Sequence, residues 1–418
     1  MTKVVVIGQG YVGLPLAQEA SRAGLTVVGL DLSPRIVDGL NSGISHIDDL
    51  SNDNIAEMLK NGYTATSDAT TIADADYVVI CVPTPLGQDG NPDLTPVEKA
   101  SASIAQHLTS CTTVILESTT YPGTTDTLVA GIINEAGHTL GEDYYLAFSP
   151  ERIDPGNPVY GLKNTPKVVG GVTPESTEKA VALYSQFIDT VVPVRGAREA
   201  ETAKLLENTY RHINIALVNE MAKFCHDLDI DLWDVIDAAA TKPFGFQAFY
   251  PGPGVGGHCI PIDPNYLSYE VKRSLGYPFR FVELAQEINL SMPKYISERV
   301  MEMLNEEKKS LNGAKVLLLG VTYKANISDQ RESPAVPVAA ELAKRGAVLS
   351  YNDPYVENWT PGIDGIEKVT DLDKGLAEAD IVILLQKHRD YDVDALAGKS
   401  KVFFDTRGVT TSDKAVRL

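Results

Sequence analysis

The sequence predicts an α/β protein in which two doubly wound parallel sheets are joined by a long central helix and a helical module. Three observations predict this architecture. A β-branched run at 4–7 leads into a glycine-rich turn and a helix, the same order of elements restarts near residue 315, and a helical pattern covers 199–229 between them. Because 418 residues are too many for one ordinary core, we expect three domains. These are 1–195, 196–300 and 301–418.

The composition excludes several classes of partner. A net charge of −20 argues against nucleic-acid and anionic-membrane partners. The four cysteines are too few and too scattered for a disulfide framework, and the seven histidines show no metal-ligand spacing. The chain starts on a strand without a charged-then-apolar leader, and no apolar run approaches the roughly 18–20 residues of a membrane helix. We therefore expect a cytoplasmic protein without a metal site.

The first strand, its turn and the next strand carry a dinucleotide-binding pattern. Gly8 suits the turn, Gly10 allows a pyrophosphate to approach the backbone, and Gly13 allows close packing of helix on strand. Asp31 ends the second strand, where an acid accepts hydrogen bonds from ribose hydroxyls and repels a 2′-phosphate. The pattern predicts a Rossmann fold that binds NAD rather than NADP. Arg35 lies beside the adenosine in this interpretation, with a solvated surface position as the alternative.

Later strands of this domain end in hydroxyl-rich or acidic turns. Thr84 follows one strand, and Thr119 and Thr120 follow the next. Ligands of open α/β sheets bind at the carboxyl ends of strands, so these hydroxyls are placed to touch cofactor or water. Turn and cap chemistry is the alternative for all three. Glu151 stands at a further strand end beside Arg152, with which it could instead form a surface ion pair.

The central helix offers both polar and apolar positions. Lys204 and Asn208 are four residues apart and therefore share one face. Lys204 has apolar neighbours, which favours a functional position over a solvated one. The segment 213–225 is apolar on most sides, so we expect it to form a subunit interface, most simply of a homodimer.

The last third of the chain repeats the pattern of the first. Residues 315–323 resemble 3–11, and a strand at 377–388 resembles the one before Thr84. This order predicts a second Rossmann-like domain, which lacks the G-x-G-x-x-G and should not bind a dinucleotide in the same way. Its strand ends carry cations that suit a UDP moiety or, taken singly, are solvated charges: Lys324, Arg331 and Arg407.

A glycine- and proline-rich stretch at 250–264 contains one cysteine. Four glycines and two prolines precede Cys259, which excludes a helix interior and predicts a shaped loop. Asp263 then caps a helix whose first position is Pro264. The structural alternative is a loop with a small buried thiol.

A cysteine between two nucleotide folds suggests a four-electron oxidation. Transfer of hydride from an alcohol to the nicotinamide needs a base but no covalent nucleophile, whereas hydride leaves the aldehyde carbon only after a nucleophile has added to it. A thiolate of Cys259 would give a thiohemiacetal, then a thioester, then the acid. Lys204 and Asn208 could stabilise the oxyanion. Asp263 could orient water or act as the base, and Glu151 is the other candidate.

These residues resemble the nucleotide-sugar 6-dehydrogenases, which oxidise UDP-glucose or UDP-N-acetylhexosamines to uronic acids with two NAD+. The motifs are GQGYVGLP, CVPTP, ESTTYPG, SPER, AKLLENTYR, GVGGHCIPIDP and YKANISDQRES. The resemblance implies Cys259 as nucleophile, assisted by Lys204, Asn208, Asp263, Glu151 and Thr120. It implies an NAD site formed by Gly8, Gly10, Tyr11, Val12, Gly13, Asp31, Arg35, Thr84, Thr119 and Arg331. It implies a UDP-sugar site formed by Tyr250, Gly256, Lys324 and Arg407.

Within that family the sequence is most similar to the N-acetylhexosamine branch, which implies UDP-GlcNAc or UDP-ManNAc as substrate for surface polysaccharide precursors. UDP-glucose remains the alternative. Lys242-Pro243-Phe244 stands where many relatives place an arginine that reaches the partner subunit's substrate. A two-electron β-hydroxyacid dehydrogenase, which needs no cysteine, and a non-catalytic module that binds NAD or UDP-sugar are the rival hypotheses.

Overall fold

The computed structural model describes residues 2–47, 49–87, 91–109, 111–153, 157, 159–257 and 260–418. Backbone contacts divide the chain into two compact units. The first comprises 1–207 and 265–277, and the second comprises 208–264 and 278–418. The segment 196–300, predicted as a central domain, does not form a unit of its own, because its helices contribute to the flanking units.

The first unit is built on one sheet with helices on both faces. Its strands stand in the order β3-β2-β1-β4-β5-β6-β7-β8. Neighbouring strands are parallel except β6 and β7, which are antiparallel. The strands are β1 (Lys3–Ile7), β2 (Thr26–Leu30), β3 (Thr64–Thr66), β4 (Tyr77–Ile80), β5 (Thr112–Leu116), β6 (Tyr144–Phe148), β7 (Lys167–Gly171) and β8 (Val191–Pro193).

The helices of this part of the chain alternate with its strands, as a doubly wound sheet requires. A 3-10 turn covers Ala69–Ile72, and a π-helical stretch, Thr124–Val129, leads into the fifth helix. The α-helices are α1 (Gly13–Arg22), α2 (Pro34–Asn41), α3 (Asn52–Lys60), α4 (Thr95–His107), α5 (Ala130–Glu135) and α6 (Pro174–Tyr184).

Four helices connect the two sheets in the sequence. They are α7 (Ala197–Asp227), α8 (Leu232–Ala240), α9 (Asp263–Leu275) and α10 (Arg280–Glu306). The unit boundary falls inside α7, after residue 207. Its later turns bury Val218, Ala222 and Cys225 in the same core as β-strand residues of the second unit. Burial of a valine side chain such as Val218 contributes about 1.5–3 kcal/mol.

The second unit contains a six-stranded parallel sheet in the order β11-β10-β9-β12-β13-β14. This order has the same form as β3-β2-β1-β4-β5-β6 of the first sheet, so the predicted pair of doubly wound sheets is confirmed. The strands are β9 (Lys315–Leu319), β10 (Val348–Asn352), β11 (Glu367–Lys368), β12 (Ile381–Leu384), β13 (Phe403–Asp405) and β14 (Ala415–Arg417). The helices are α11 (Ala335–Lys344), α12 (Leu372–Glu378) and α13 (Val393–Lys399).

The acid that follows the second strand is used differently in the two sheets. Asp31 is partly exposed after β2, whereas Asp353 after β10 is fully buried. The Asp353 carboxylate lies 3.0 Å from Nε2 of His388 and accepts the N–H of Val321. Burial opposes ionisation of Asp353, but the hydrogen bonds with His388 and Val321 outweigh it and lower its pKa. The Asp353 carboxylate is therefore held by partners within the protein, and the expectation that the second sheet does not bind a dinucleotide in the same way stays a prediction.

No helix in the described part of the chain is both long and apolar enough to cross a membrane.

Candidate active site

The glycine turn after β1 has a different role at each of its three glycines. A Cβ on Gly8, whose φ is +92°, would stand 2.6 Å from the carbonyl oxygen of Cys81. A Cβ on Gly13 would stand 1.9 Å from the carbonyl oxygen of Gly8. A Cβ on Gly10 would meet no atom within 4 Å. Gly8 and Gly13 are thus required by internal packing, while Gly10 borders open space where a pyrophosphate could approach.

The carboxylate of Asp31 lies beside this turn. It accepts the backbone N–H of Gln9 at 2.9 Å and that of Ser33 at 2.9 Å. These bonds fix its orientation, and its partial exposure leaves it able to accept ribose hydroxyls. Arg35 is exposed on α2. The open glycine and the oriented acid fit an NAD adenosine diphosphate, with Tyr11 exposed and Val12 partly buried in the same turn.

The predicted threonines lie at the carboxyl ends of β4 and β5. The Thr84 carbonyl accepts the hydroxyl of Tyr266, which is on α9. Thr119 is partly buried. Thr120 is buried, and its Oγ1 has no hydrogen-bond partner among the described residues. A buried hydroxyl in this condition is the kind of group that water or a ligand satisfies.

Glu151, which follows the next strand, β6, is buried in a group of charged side chains. Its Oε1 accepts the backbone N–H groups of Arg152 and Ile153, and its Oε2 lies 3.8 Å from Nζ of Lys167. Lys167 also donates to Glu117 at 3.1 Å. The alternative of a surface pair with Arg152 is wrong, because the Arg152 guanidinium pairs with Glu207 at 2.8 Å.

The first half of α7 presents two buried ionisable side chains. Lys204 is only 7% exposed, and no hydrogen bond or ion pair joins its ammonium group to any residue that the structure describes. One turn earlier, Glu201 accepts the backbone N–H groups of Gly123 and Thr125 and the Thr125 hydroxyl. Burial raises the pKa of Glu201 to about 7. Glu201 thereby anchors the turn after β5 to α7, next to Lys204.

Asn208 contacts the start of α9. Its Nδ2 donates to Oδ2 of Asp263 at 2.5 Å, and Asp263 is buried. The helix begins at Asp263 itself. The hydrogen bond joins α7 to the residue that ends the predicted catalytic loop. Cys259, together with His258, lies outside the described residues.

The approach to that loop is fixed by hydrogen bonds and by glycine contacts within the second unit. The Gly252 N–H donates to Asn219 at 2.9 Å, and Asn219 donates to Asn289 on α10 at 2.9 Å. A Cβ on Gly256 would stand 2.7 Å from Cδ of Pro334 and 2.8 Å from the carbonyl oxygen of Glu332. The loop backbone therefore packs directly on the segment that follows β9.

The predicted UDP-sugar residue Tyr250 packs on Trp233, and Gly408, which follows the predicted residue Arg407, approaches the same tryptophan. The Tyr250 ring stacks on Trp233 with centroids 5.6 Å apart and planes 12° apart. A Cβ on Gly408 would stand 2.3 Å from the same indole. Burial lowers the pKa of the Arg407 guanidinium, which nevertheless stays charged near neutral pH.

The other two predicted cations of the second unit differ in exposure. Lys324 is partly buried, and Arg331 is exposed and pairs with Asp329 at 2.8 Å. Whether Arg331 contributes to the NAD site remains a prediction.

Sequence reasoning missed residues that support the site rather than line it. Lys167 begins an apolar strand and resembles a surface cation at a strand end. Asn219 and Asn289 are ordinary polar positions within helical patterns. Glu117, directly after β5, was the one with a usable signal, because it follows a fully buried strand at the edge where ligands bind.

The chain matches three family models in order. They are the NAD-binding domain (2–188), the central domain (198–291) and the UDP-binding domain (317–412) of the UDP-glucose/GDP-mannose dehydrogenase family.

Relatives match over nearly the full chain. UDP-N-acetyl-D-mannosamine dehydrogenase of Methanococcus maripaludis is 32% identical, with 97% of this chain and 93% of the relative covered. NDP-N-acetyl-D-galactosaminuronic acid dehydrogenase of Ralstonia solanacearum is 34% identical, with 98% and 97% covered. A solved UDP-D-ManNAc dehydrogenase from Pyrococcus horikoshii superposes with a TM-score of 0.90 at 29% identity, covering 100% of this chain and 98% of that one.

Substitutions at Gly10 and Gly13 should separate ligand binding from packing. Gly10→Ala should change the free energy of unfolding by less than about 1 kcal/mol. It should weaken NAD+ binding about tenfold or more, because the methyl group enters the space available to the pyrophosphate. Gly13→Ala should lower the free energy of unfolding by about 1–3 kcal/mol through overpacking. Urea unfolding and calorimetric NAD+ titration measure both, and unchanged NAD+ affinity in Gly10→Ala would contradict the assignment.

Proposed function

Because the chain belongs to the UDP-glucose/GDP-mannose dehydrogenase family, we propose that it oxidises the C6 hydroxyl of a UDP-N-acetylhexosamine to the uronic acid. The chain is an NAD-dependent oxidoreductase. The observation that carries the finer proposal is the 2.5 Å hydrogen bond from Asn208 to Asp263. It ties the central helix to the end of the loop that contains Cys259, where the proposed nucleophile requires an oriented carboxylate and amide.

The proposed reaction has two oxidations. NAD+, when bound, accepts a hydride from C6 in each of them. In the first, the alcohol becomes an aldehyde while Glu151 or Asp263 accepts the hydroxyl proton. The Cys259 thiolate then forms a bond to the aldehyde carbon, and the resulting thiohemiacetal is oxidised to a thioester. Water cleaves the thioester, which releases the acid and regenerates the thiol.

The chain's own residues have distinct roles in this scheme. Lys204 and Asn208 stabilise the oxyanion, since a buried cation and an amide donor offer preorganised hydrogen bonds. The low exposure of Lys204, without a described ion-pair partner, supports this role. Thr120, with its unsatisfied buried hydroxyl, holds water, and Asp263 orients the water that attacks the thioester.

The UDP moiety is proposed to bind the second unit. In a chain with a net charge of −20, a diphosphate needs local cations. Arg407 and Lys324 supply them, and the half-exposed Tyr250 offers an aromatic face. Close packing at Gly256 leaves the loop backbone, rather than side chains, to border the sugar.

The substrate is proposed to be UDP-GlcNAc or UDP-ManNAc, for surface polysaccharide precursors. Similarity to several UDP-N-acetyl-D-mannosamine dehydrogenases supports this branch. UDP-glucose remains the alternative, supported by a solved UDP-glucose dehydrogenase from Pyrobaculum islandicum with a TM-score of 0.89 at 28% identity, which covers 100% of this chain and 97% of that one. A cytoplasmic location is proposed because UDP-sugars and NAD are intracellular metabolites.

A homodimer through α7 is proposed from an exposed apolar stripe. Tyr210, Leu217 and Phe224 are all exposed. At 3.6 residues per turn they fall within about 40° of arc around the helix. They repeat every seven residues, which is typical of one helix packing along another. A second copy of the chain is the occupant that a self-complementary stripe fits best.

An NADH assay with a panel of sugars tests the function. Wild-type protein should raise absorbance at 340 nm faster with UDP-GlcNAc or UDP-ManNAc than with UDP-glucose. Cys259→Ser should lower turnover about 10³-fold or more because the thiolate is lost. Cys111→Ser, at an exposed cysteine, is the matched control and should keep wild-type turnover.

Absence of NADH with every sugar would support the non-catalytic binding module. The fastest rate with UDP-glucose would favour that alternative substrate. Normal NADH production by Cys259→Ser would favour the two-electron hydroxyacid dehydrogenase.

Charge in the apolar stripe should prevent dimerisation. The double variant Leu217→Glu with Phe224→Glu should be monomeric by light scattering at micromolar concentration, because two carboxylates would be buried at the interface. Ile44→Glu, also at an exposed apolar side chain, should remain dimeric. A monomeric wild type, or a double variant with the mass of a dimer, would refute the proposed interface.

A further inference from the structure

Pairing of β5, β6 and β7 brings three charged residues to one edge of the first sheet. Glu117 directly follows β5, and Glu151 lies three residues after β6. β6 and β7 are antiparallel with Phe148 opposite Gly170. Continued by three residues, this register sets Glu151 opposite Lys167, the first residue of β7. The group is therefore a consequence of strand pairing rather than of flexible side chains meeting by chance.

The three side chains are almost completely removed from water. Glu117 is 1% exposed, Lys167 4% and Glu151 9%. The Lys167 ammonium donates to Glu117 at 3.1 Å and lies 3.8 Å from Glu151. Tyr184, fully buried on α6, donates its hydroxyl to the other oxygen of Glu117, and its ring lies 5.0 Å from the ammonium group. The position of Lys167 is thus determined from three sides.

Charge is not balanced within this group, since one cation serves two carboxylates. Burial raises the pKa of Glu117, and the negative charge of Glu151 adds to this effect. Burial opposes charge on Lys167, but Glu117 and Glu151 outweigh it and raise the pKa of its ammonium group. At neutral pH the lysine is charged, so it can neutralise whichever carboxylate is ionised.

Other titratable and charged groups also face Glu151. They are Cys81 at the end of β4 and Arg152 in the same connection. Burial raises the pKa of the Cys81 thiol well above its ordinary value, which keeps it neutral. The Arg152 guanidinium pairs with Glu207 on α7 and donates to the Pro166 carbonyl. Lys167 is consequently the cation that faces the unsatisfied Oε2 of Glu151 within the described residues.

We propose that Lys167 is a positioning residue that holds Glu151 ionised and oriented for proton acceptance, with Glu117 and Tyr184 holding the ammonium group in place. This proposal rests on the proposed function, in which Glu151 is a candidate base. A base must be ionised before it can accept the proton of the C6 hydroxyl. A carboxylate buried without a counter-charge takes up a proton instead. Lys167 prevents this loss without touching the substrate.

The pH profile of NADH formation tests the role of Lys167. Lys167→Met removes a unit positive charge 3.8 Å from Glu151. The half-maximal point of the acid limb should therefore rise by about one pH unit or more. Lys167→Arg keeps the charge and should return the limb towards its wild-type position. Lys163→Met, at an exposed lysine four residues earlier, is the matched control and should leave the limb unmoved.

The variant Glu117→Gln should not raise the pH of the acid limb. It removes the competing carboxylate and leaves Lys167 paired with Glu151 alone, so the acid limb should stay in place or move to lower pH. Thermal unfolding and NAD+ binding identify variants that are merely unfolded. If Lys167→Met does not fold, Glu117→Gln still tests the proposal. An upward shift of the acid limb in that variant would overturn it.

The outcomes separate this role from the function itself. An active wild type with an unshifted limb in folded Lys167→Met would refute the role of Lys167 alone. Equal upward shifts in Lys167→Met and Glu117→Gln would mean that the site has loosened generally, which also refutes it. A wild type that forms no NADH from any UDP-sugar would refute the proposed function instead.

Discussion

Parallel pairing around β1 determines where the candidate residues of the first unit lie. In a parallel sheet the residues that follow each strand meet at one edge. The glycine turn follows β1, and Asp31 follows β2. Glu117 and Thr120 follow β5, and Glu151 follows β6. Residues more than a hundred positions apart in sequence thus form one polar edge on an apolar sheet. A ligand bound at this edge would contact backbone N–H donors and oriented carboxylates.

The second sheet has the same strand order as the first, but residues with different contacts follow its strands. The described residues directly after β9 form no open glycine turn like the one at Gly10, and Asp353 is buried against His388 instead of facing outward. The acid after the second strand is therefore not available to a ribose in this sheet as Asp31 is in the first. Cations such as Arg407 and the aromatic pair of Trp233 and Tyr250 provide a different surface. Fold similarity alone would not distinguish the two units, whereas the residues at their strand ends do.

Much of this arrangement could be predicted from the sequence, because its signals are local. A β-branched run, a glycine turn and a terminal acid predict β1, α1, β2 and the place of Asp31. The helical pattern at 199–229 corresponds to α7 at 197–227. The internal similarity between 3–11 and 315–323 predicts a second sheet, and the two strand orders agree.

Other features depend on contacts between distant residues and have no local signal. Lys167 is separated from Glu117 by 50 positions, and only the antiparallel turn into β7 brings it near Glu151. The sequence identifies Asn208 and Asp263 as separate candidates, and the fold shows that they form a hydrogen bond. The approach of the partly buried Arg407 to Gly252 likewise depends on the fold. Pattern reasoning identifies residues that carry chemistry, while their supports become visible only once the strands are paired.

In the proposed reaction one sugar carbon loses four electrons without leaving the protein as an aldehyde. The most direct measurement is the number of NADH molecules formed per UDP-sugar consumed when the reaction reaches completion. We expect two, with no free aldehyde detected by a carbonyl-trapping reagent. One NADH per sugar, with the aldehyde as the product, would contradict it.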